Sequence, residues 1–327
     1  MSKKSEERQS NKLAYFWYLQ DTADHVDPYV KNFFETKFST TTELQTILMN
    51  QYRFWKPQLR PAQVRLAYEL VWGKNRKDTI PACASVEIKD TGYYCYDDVL
   101  DIGKDPKLTL IWGMYIVLSH IIAQDLLHNF NTTQVQQVLK ELFELDKNNM
   151  QWTIIDWQLR KQANKELYME KADRYNFWEH VLKIWWVLWG ANETEVNKLW
   201  YIGKKIGTAY IIANDTWDFG KNLEDFRSWK YTLPIIKAFE ETTEKDKNIL
   251  LSLFGKNILS EKDIYIIREI VVKSHAIDFW KTKAQEFCNE WIEILHDFDD
   301  SHARKMLEFA TTMTQKNKYY NILKTYE

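Results

Sequence analysis

A long stretch without proline is the feature that most limits the folds open to this chain. No proline occurs between Pro106 and Pro234, and the 327 residues include only 6 prolines and 9 glycines. Proline and glycine are the residues that most destabilise a helix interior, so their scarcity favours long helices. No segment alternates polar and apolar residues over the length of a strand. The sequence therefore predicts an all-α fold.

The predicted helices follow one another with no break that would separate two domains. We predict helices over 13–38, 40–50, 61–72, 81–101, 107–128, 133–145, 150–168, 175–189, 193–219, 233–241, 245–254, 260–274, 276–296 and 301–319. The polar stretch 222–229 is predicted to be a loop. Residues 1–12 are polar and charged and are predicted to be an N-terminal tail, which leaves 13–327 as a single helical domain.

Charge and cysteine content argue against several classes of function. The formal net charge is −2, which gives no general attraction to nucleic acid or to an anionic membrane. The three cysteines are odd in number and lack metal-ligand spacing, so we predict reduced, buried thiols in a cytoplasmic protein. The most apolar segment, Leu108–Leu127, contains Ser119, His120, Gln124 and Asp125 and is predicted to be a buried core helix, not a membrane span.

Two acidic clusters indicate the chemistry. Residues 97–101 have the sequence DDVLD, and residues 214–218 have the related sequence NDTWD. On a helix, side chains at positions i, i+1 and i+4 project towards one side. Two such sides facing each other across a cavity would supply several oxygen ligands, and Mg²⁺ commonly joins a few carboxylates to substrate phosphates. The pair therefore predicts an enzyme that acts on a diphosphate.

Four motifs in a fixed order identify a family. The segment 56–61, KPQLRP, is similar to GKxxRP, and the helix that leads into 97–101 resembles the one that carries a first aspartate-rich motif. Residues 203–219 resemble GxxxGxAFQIxDDxxDF, and residues 230–234, KYTLP, resemble GKxTLP. Together, over about Trp55 to Tyr319, the chain resembles the trans-isoprenyl diphosphate synthases, or polyprenyl synthetase family, and the class I terpene synthases that share their fold.

This resemblance implies a single large helical bundle of the isoprenoid synthase type, with a central active-site cavity. It also implies three Mg²⁺ ions that hold the diphosphate of an allylic substrate, and a homodimer. The implied metal ligands are Asp97, Asp98, Asp101, Asn214, Asp215 and Asp218, of which the five aspartates are the catalytic candidates. The implied diphosphate-binding residues are Lys56, Arg60 and Lys230, with Lys221 as a possible substitute for a second lysine. The implied cavity residues are Tyr93, Tyr96, Ile211, Trp185 and Trp189.

The sequence departs from the family pattern mainly where the second substrate, isopentenyl diphosphate, is bound. Lys56 and Arg60 match two residues of that pocket, but Asp90 stands where the family usually has histidine, and a carboxylate repels a diphosphate. The loop 102–107 has no arginine after the first motif, and a lysine replaces arginine there only as a point charge. Residues 173–174, Asp-Arg, stand near the position of the family's Lys-Thr pair. The ionising half of the site is therefore better kept than the acceptor half.

These departures leave several hypotheses open. The first is a terpene synthase-like reaction, in which an allylic diphosphate ionises and then cyclises or rearranges. Alternatives are a chain-elongating polyprenyl diphosphate synthase, a prenyl transferase with a non-isoprenoid acceptor, and a regulatory subunit of an active synthase. Trp185, Trp186 and Trp189 either pack the core more tightly or reshape the cavity and stack on cations.

Overall fold

The structure is a computed structural model without ligands. It describes the backbone of residues 3–311 except at positions 53, 55, 57, 71–74, 161–162, 175–176, 190–192 and 222. It describes the side chains of the same residues except at helical positions 3–11, 101–102, 177–178, 185–186, 189, 193–196, 199, 202, 217–218 and 220–221.

The described residues form helices and no strand, which confirms the predicted all-α fold. The α-helices are α1 (Lys3–Lys37), α2 (Thr42–Gln51), α3 (Leu59–Leu70), α4 (Ile80–Ile102), α5 (Lys107–Ala123), α6 (Thr132–Leu159), α7 (Lys165–Arg174), α8 (Phe177–Trp189), α9 (Glu193–Lys221), α10 (Glu224–Arg227), α11 (Leu233–Glu241), α12 (Glu244–Leu253), α13 (Glu261–Lys273) and α14 (Ala276–Leu295). Short 3₁₀ helices cover Arg76–Thr79 and Gln124–His128, and helical backbone returns at 302–311.

Three predicted boundaries were wrong. Helix α1 begins at Lys3, ten residues before its predicted start at residue 13, because the polar start is rich in Lys, Glu, Arg and Gln, which are good helix formers. Helix α6 is continuous over Thr132–Leu159, where two helices were predicted. The predicted loop 222–229 contains the short helix α10.

Helices α4 and α5 pack closely where a glycine allows it. A Cβ atom added at Gly92 of α4 would lie 3.0 Å from the Cβ atom of Tyr115 on α5, so a larger residue there would push the helices apart. The buried face of α5 includes Ile111, Tyr115 and Leu118. Lys107–His128 is long and apolar enough to cross a membrane, but only 33% of its most apolar window is buried. The prediction of a fully buried core helix was therefore wrong.

The chain divides into two compact units, with the gaps given above. Unit 1 comprises Met1–Asp146, His180–Trp200 and Phe298–Phe309, and unit 2 comprises Lys147–Glu179, Tyr201–Asp297 and Ala310–Glu327. The single domain predicted over 13–327 stays a prediction, as does its central cavity. The cysteines are confirmed as buried thiols without disulfides, at Cys83, Cys95 and Cys288.

Candidate active site

The first acidic motif lies at the C-terminal end of α4. Gly103 ends the helix in a left-handed conformation (φ 65°), and its N–H donates to the carbonyl oxygen of Asp98. The Lys104 ammonium lies 2.6 Å from Asp98 Oδ2, and these side chains are 51% and 35% exposed. Asp97 is half-buried, and the side chain of Asp101 lies outside the described residues. A carboxylate that meets an exposed lysine at a helix end is accessible to a metal ion.

An ion pair joins two residues of the predicted acceptor pocket. Arg60 lies in the first turn of α3, where Pro61 suits the start of a helix. Its Nη1 contacts a carboxylate oxygen of Asp90 on α4, and these side chains are only 13% and 10% exposed. Lys56 is exposed to solvent. The carboxylate at the family's histidine position therefore neutralises a predicted diphosphate-binding group inside unit 1.

The second acidic motif lies on α9 in unit 2. The Tyr168 hydroxyl donates to the carboxylate of Asp215, and both residues are buried. Burial, followed by the charge of Asp215, holds the pKa of Tyr168 well above its usual value, so the phenol keeps its proton. Asn214 is half-buried. The side chains of Asp218 and Lys221 lie outside the described residues.

Lys230 is held by the loop that precedes α11. Trp229 has a left-handed backbone (φ 61°), and the Lys230 N–H donates to the carbonyl oxygen of Asp225 over 2.9 Å. The Lys230 ammonium lies 3.6 Å from a carboxylate oxygen of Asp225 and 3.6 Å from one of Asp156. Lys230 is therefore a buried cation between two carboxylates, as a phosphate-binding group in a prepared site would be.

Asp156 and Lys171 complete this cluster, and the sequence did not predict either residue. The Lys171 ammonium lies 2.5 Å from Asp156 Oδ1. Burial alone would raise the pKa of Asp156, but Lys171 and then Lys230 outweigh it and lower that pKa to about 2. A usable signal was present, because Asp156 interrupts an apolar run, TIIDW at 153–157, and Lys171 follows Tyr168 by three residues.

The predicted cavity residues have different surroundings. The Tyr93 hydroxyl donates to Asp146 Oδ1 over 2.7 Å, and Tyr96 stacks on Trp112 with ring centroids 4.5 Å apart. Ile211 is buried in an apolar cluster of unit 2. Trp185 and Trp189 lie on α8, but their side chains, like that of Trp186, lie outside the described residues.

The donor set of both motifs fits a hard divalent cation. Every side-chain donor that the motifs offer is an oxygen, which Mg²⁺ prefers to nitrogen or sulfur. Among the described side chains, no three His, Cys, Asp or Glu residues already converge as a metal site. Two of the predicted ligands, Asp101 and Asp218, are outside that set. The metal ligands therefore stay a prediction.

Comparison with known proteins gives the same family. Geranylgeranyl diphosphate synthase of Methanosarcina mazei is 26% identical over 278 residues, which cover 76% of this chain and 82% of the relative. The enzyme of that name from Saccharolobus solfataricus is 24% identical over 329 residues, which cover 91% and 96%.

The fold similarity is equally extensive. The crystal structure of geranylgeranyl pyrophosphate synthase from Corynebacterium glutamicum, complexed with isoprenyl diphosphate and magnesium, superposes with a TM-score of 0.79. It is 16% identical, and the match covers 92% of this chain and 99% of that one. The polyprenyl synthetase family model matches residues 57–271, which include both acidic motifs, Lys171 and Lys230. The chain therefore belongs to the polyprenyl synthetase family of prenyltransferase enzymes.

Proposed function

We propose that this chain is a chain-elongating prenyl diphosphate synthase. The reaction joins an allylic prenyl diphosphate to isopentenyl diphosphate and releases inorganic diphosphate and a proton. The observation that carries the proposal is the buried cluster of unit 2, in which Lys171 and Lys230 lie around Asp156 and near the second motif. The named relatives are geranylgeranyl diphosphate synthases, so they favour elongation over the terpene synthase-like reaction predicted first.

The residues of each unit have separate tasks in this proposal. Lys230 and Lys171 bind diphosphate oxygens, and their carboxylate partners keep both ammonium groups in place before substrate arrives. The Tyr168 phenol holds the Asp215 carboxylate in one orientation. Bound Mg²⁺ would neutralise charge on the departing diphosphate, so that the allylic C–O bond breaks while a C–C bond to isopentenyl diphosphate forms.

Metal binding belongs to the proposal in finer detail. The Corynebacterium glutamicum enzyme was crystallised with magnesium. We assign the first motif's Asp97, Asp98 and Asp101 and the second motif's Asn214, Asp215 and Asp218 to Mg²⁺, with three ions expected when substrate diphosphate is present. Asn214 offers one neutral oxygen where an aspartate would offer a charged one, so its contribution to affinity is smaller.

A homodimer and a cytoplasmic location complete the proposal. Leu110, Val117 and Ile121 follow one another at helical spacing along α5 and are 75%, 55% and 37% exposed. Such an apolar stripe on a surface helix is typical of a face that another chain covers. We therefore expect α5 to lie in the interface between two copies.

The ion pair between Arg60 and Asp90 favours a second candidate, ionisation without elongation. In this candidate the allylic cation cyclises, rearranges or is captured by an acceptor that carries no diphosphate. The pair neutralises Arg60 in the pocket proposed for isopentenyl diphosphate, so affinity for that substrate should be low.

Incorporation of radiolabelled isopentenyl diphosphate tests the proposal. We expect the wild-type chain to transfer label into prenyl diphosphates with Mg²⁺ and a C10 or C15 allylic substrate. Lys230→Met should lower this rate at least 100-fold, because a buried charged contact to the diphosphate is lost. The matched control is Lys205→Met, which removes a lysine of unit 2 that pairs with Glu290 instead. Label incorporation that is equal in both variants would refute the assigned role of Lys230.

A further inference from the structure

A fully buried lysine lies two helical turns before the first acidic motif. Lys89 on α4 is 0% exposed, and its ammonium lies 2.6 Å from Asp146 Oδ1 and 3.3 Å from the carbonyl oxygen of Leu142 on α6. The Tyr93 hydroxyl donates to the same Asp146 oxygen over 2.7 Å. One carboxylate oxygen therefore fixes two side chains of α4 that lie one turn apart.

His120 on α5 closes the other side of Asp146. Its Nδ1 lies 2.8 Å from the carbonyl oxygen of Ile116 and therefore carries a proton, and its Nε2 lies 3.5 Å from Asp146 Oδ2. Burial, followed by the Lys89 ammonium, lowers the pKa of His120, so the ring is neutral at pH 7. Burial also lowers the pKa of Lys89 to about 8, with Asp146 opposing that change. The cluster thus balances one ammonium against one carboxylate.

A buried ion pair of this kind is not needed for stability alone. Apolar residues of similar volume often pack at least as well, because two desolvated charges recover little more than their desolvation cost. What such a pair supplies is geometry, since only one arrangement satisfies both charges and the hydroxyl. The arrangement here dictates the position of the Tyr93 ring.

Burial along α4 shows which way a substrate chain would run from the first motif. Leu100 and Gly103 are exposed at the C-terminal end, whereas residues 81–86 and 88–92 are buried. A diphosphate bound at the exposed end leaves its apolar chain to run towards the buried end. Tyr93 precedes Asp97 by four residues and so lies on the same side of the helix, one turn inward.

We propose that Lys89 and Asp146 are positioning residues that hold the Tyr93 phenol in one orientation, so that its ring limits the length of the apolar chain accepted by the allylic site. This inference rests on the proposed function, because it takes the first motif to bind an allylic diphosphate. The polar lock makes the limit rigid, whereas a tyrosine held by packing alone could turn aside for a longer chain.

Two measurements without catalytic turnover test this inference. The first is the fluorine NMR spectrum of the full chain with 3-fluorotyrosine at position 93. We expect one narrow signal in the wild-type background and a broadened or doubled signal in Asp146→Asn and Lys89→Met. The matched control is Ser85→Ala, which removes a buried hydroxyl of α4 that bonds the carbonyl oxygen of Ser119. An unchanged signal in Asp146→Asn would overturn the lock.

The second measurement is the affinity for non-ionising C10, C15 and C20 allylic thiolodiphosphates with Mg²⁺. Tyr93→Phe keeps the ring and loses only the hydroxyl, so it folds even if the charge variants do not. We expect Tyr93→Phe to improve binding of the longest analogue relative to the shortest by at least fivefold. A ratio equal to that of Ser85→Ala would overturn the role of Tyr93.

Failure of the proposed function would be separately visible. A wild-type chain that binds the analogues but adds no isopentenyl diphosphate would contradict elongation and leave the lock supported. A wild-type chain that binds none of the analogues would overturn the lock together with the proposed function.

Discussion

The ion pair between Arg60 and Asp90 makes a specific prediction about the second substrate. Asp90→Asn keeps the shape of the side chain and one carbonyl acceptor but removes the charge that neutralises Arg60. The Arg60 guanidinium would then be available to a diphosphate in the pocket assigned to isopentenyl diphosphate. We expect this single change to improve use of that substrate.

The magnitude follows from the burial of the pair. The two side chains are 13% and 10% exposed, so the guanidinium acts in an environment with little screening by solvent. A hydrogen bond to a charged group contributes about 1.5–3 kcal/mol. Since about 1.4 kcal/mol corresponds to a factor of ten, KM for isopentenyl diphosphate should fall about 10- to 100-fold. The free energy of unfolding should fall by about 1–3 kcal/mol, because a buried charge loses its partner.

Steady-state elongation kinetics measure the effect directly. Isopentenyl diphosphate is varied at saturating allylic substrate and Mg²⁺, and then the allylic substrate is varied in turn. KM for the allylic substrate should not change, because Asp90 has no assigned contact with it. Asp90→Glu is the control that keeps the charge. A folded Asp90→Asn variant with an unchanged KM for isopentenyl diphosphate would refute the reasoning.

Three further predictions concern the metal, acid stability and assembly. Lys104→Ala should tighten Mg²⁺ binding two- to fivefold in calorimetry without substrate, since an exposed ion pair to Asp98 is worth about 0–1 kcal/mol; unchanged affinity would contradict competition by Lys104. The pKa of Asp156 is lowered to about 2, so its ionised form stabilises the fold above about pH 4, and this contribution is lost as the pH falls towards 2. Asp156→Asn should therefore flatten the acid limb of urea unfolding and lose about 3–5 kcal/mol at pH 7; an unchanged limb would refute the ion-pair argument. Val117→Glu should convert a dimer to a monomer in light scattering, whereas the exposed Ile258→Glu should not; a dimer in both variants would exclude α5 from the interface.

The helical fold could be predicted because proline and glycine mark where helices cannot continue. Pro61 and Pro81 stand in the first turns of α3 and α4, as expected. The predicted break in α6 failed for a tertiary reason. The sequence DKNN at 146–149 resembles a loop, but Asp146 is buried against Lys89, so a polar residue lies inside a packed helix.

The candidate site could be predicted only where its chemistry is written in consecutive residues. The two acidic motifs and the segments around Arg60 and Lys230 are local patterns, and a resemblance recovers them. The partners Asp156, Lys171 and Asp146 come from other helices, at positions where the sequence alone favoured ordinary packing. Their roles depend on burial and on contacts between distant residues, such as the one between Tyr168 and Asp215. Such contacts are visible only in the folded chain.

Product analysis with and without isopentenyl diphosphate tests the proposed function most directly. The purified chain is incubated with Mg²⁺ and a C10, C15 or C20 allylic diphosphate, and products are separated before and after phosphatase treatment. Elongation predicts longer prenyl diphosphates only when isopentenyl diphosphate is present, and little conversion without it. Hydrocarbons or alcohols formed equally in both conditions, with no elongated diphosphate, would contradict the proposal and favour ionisation without elongation.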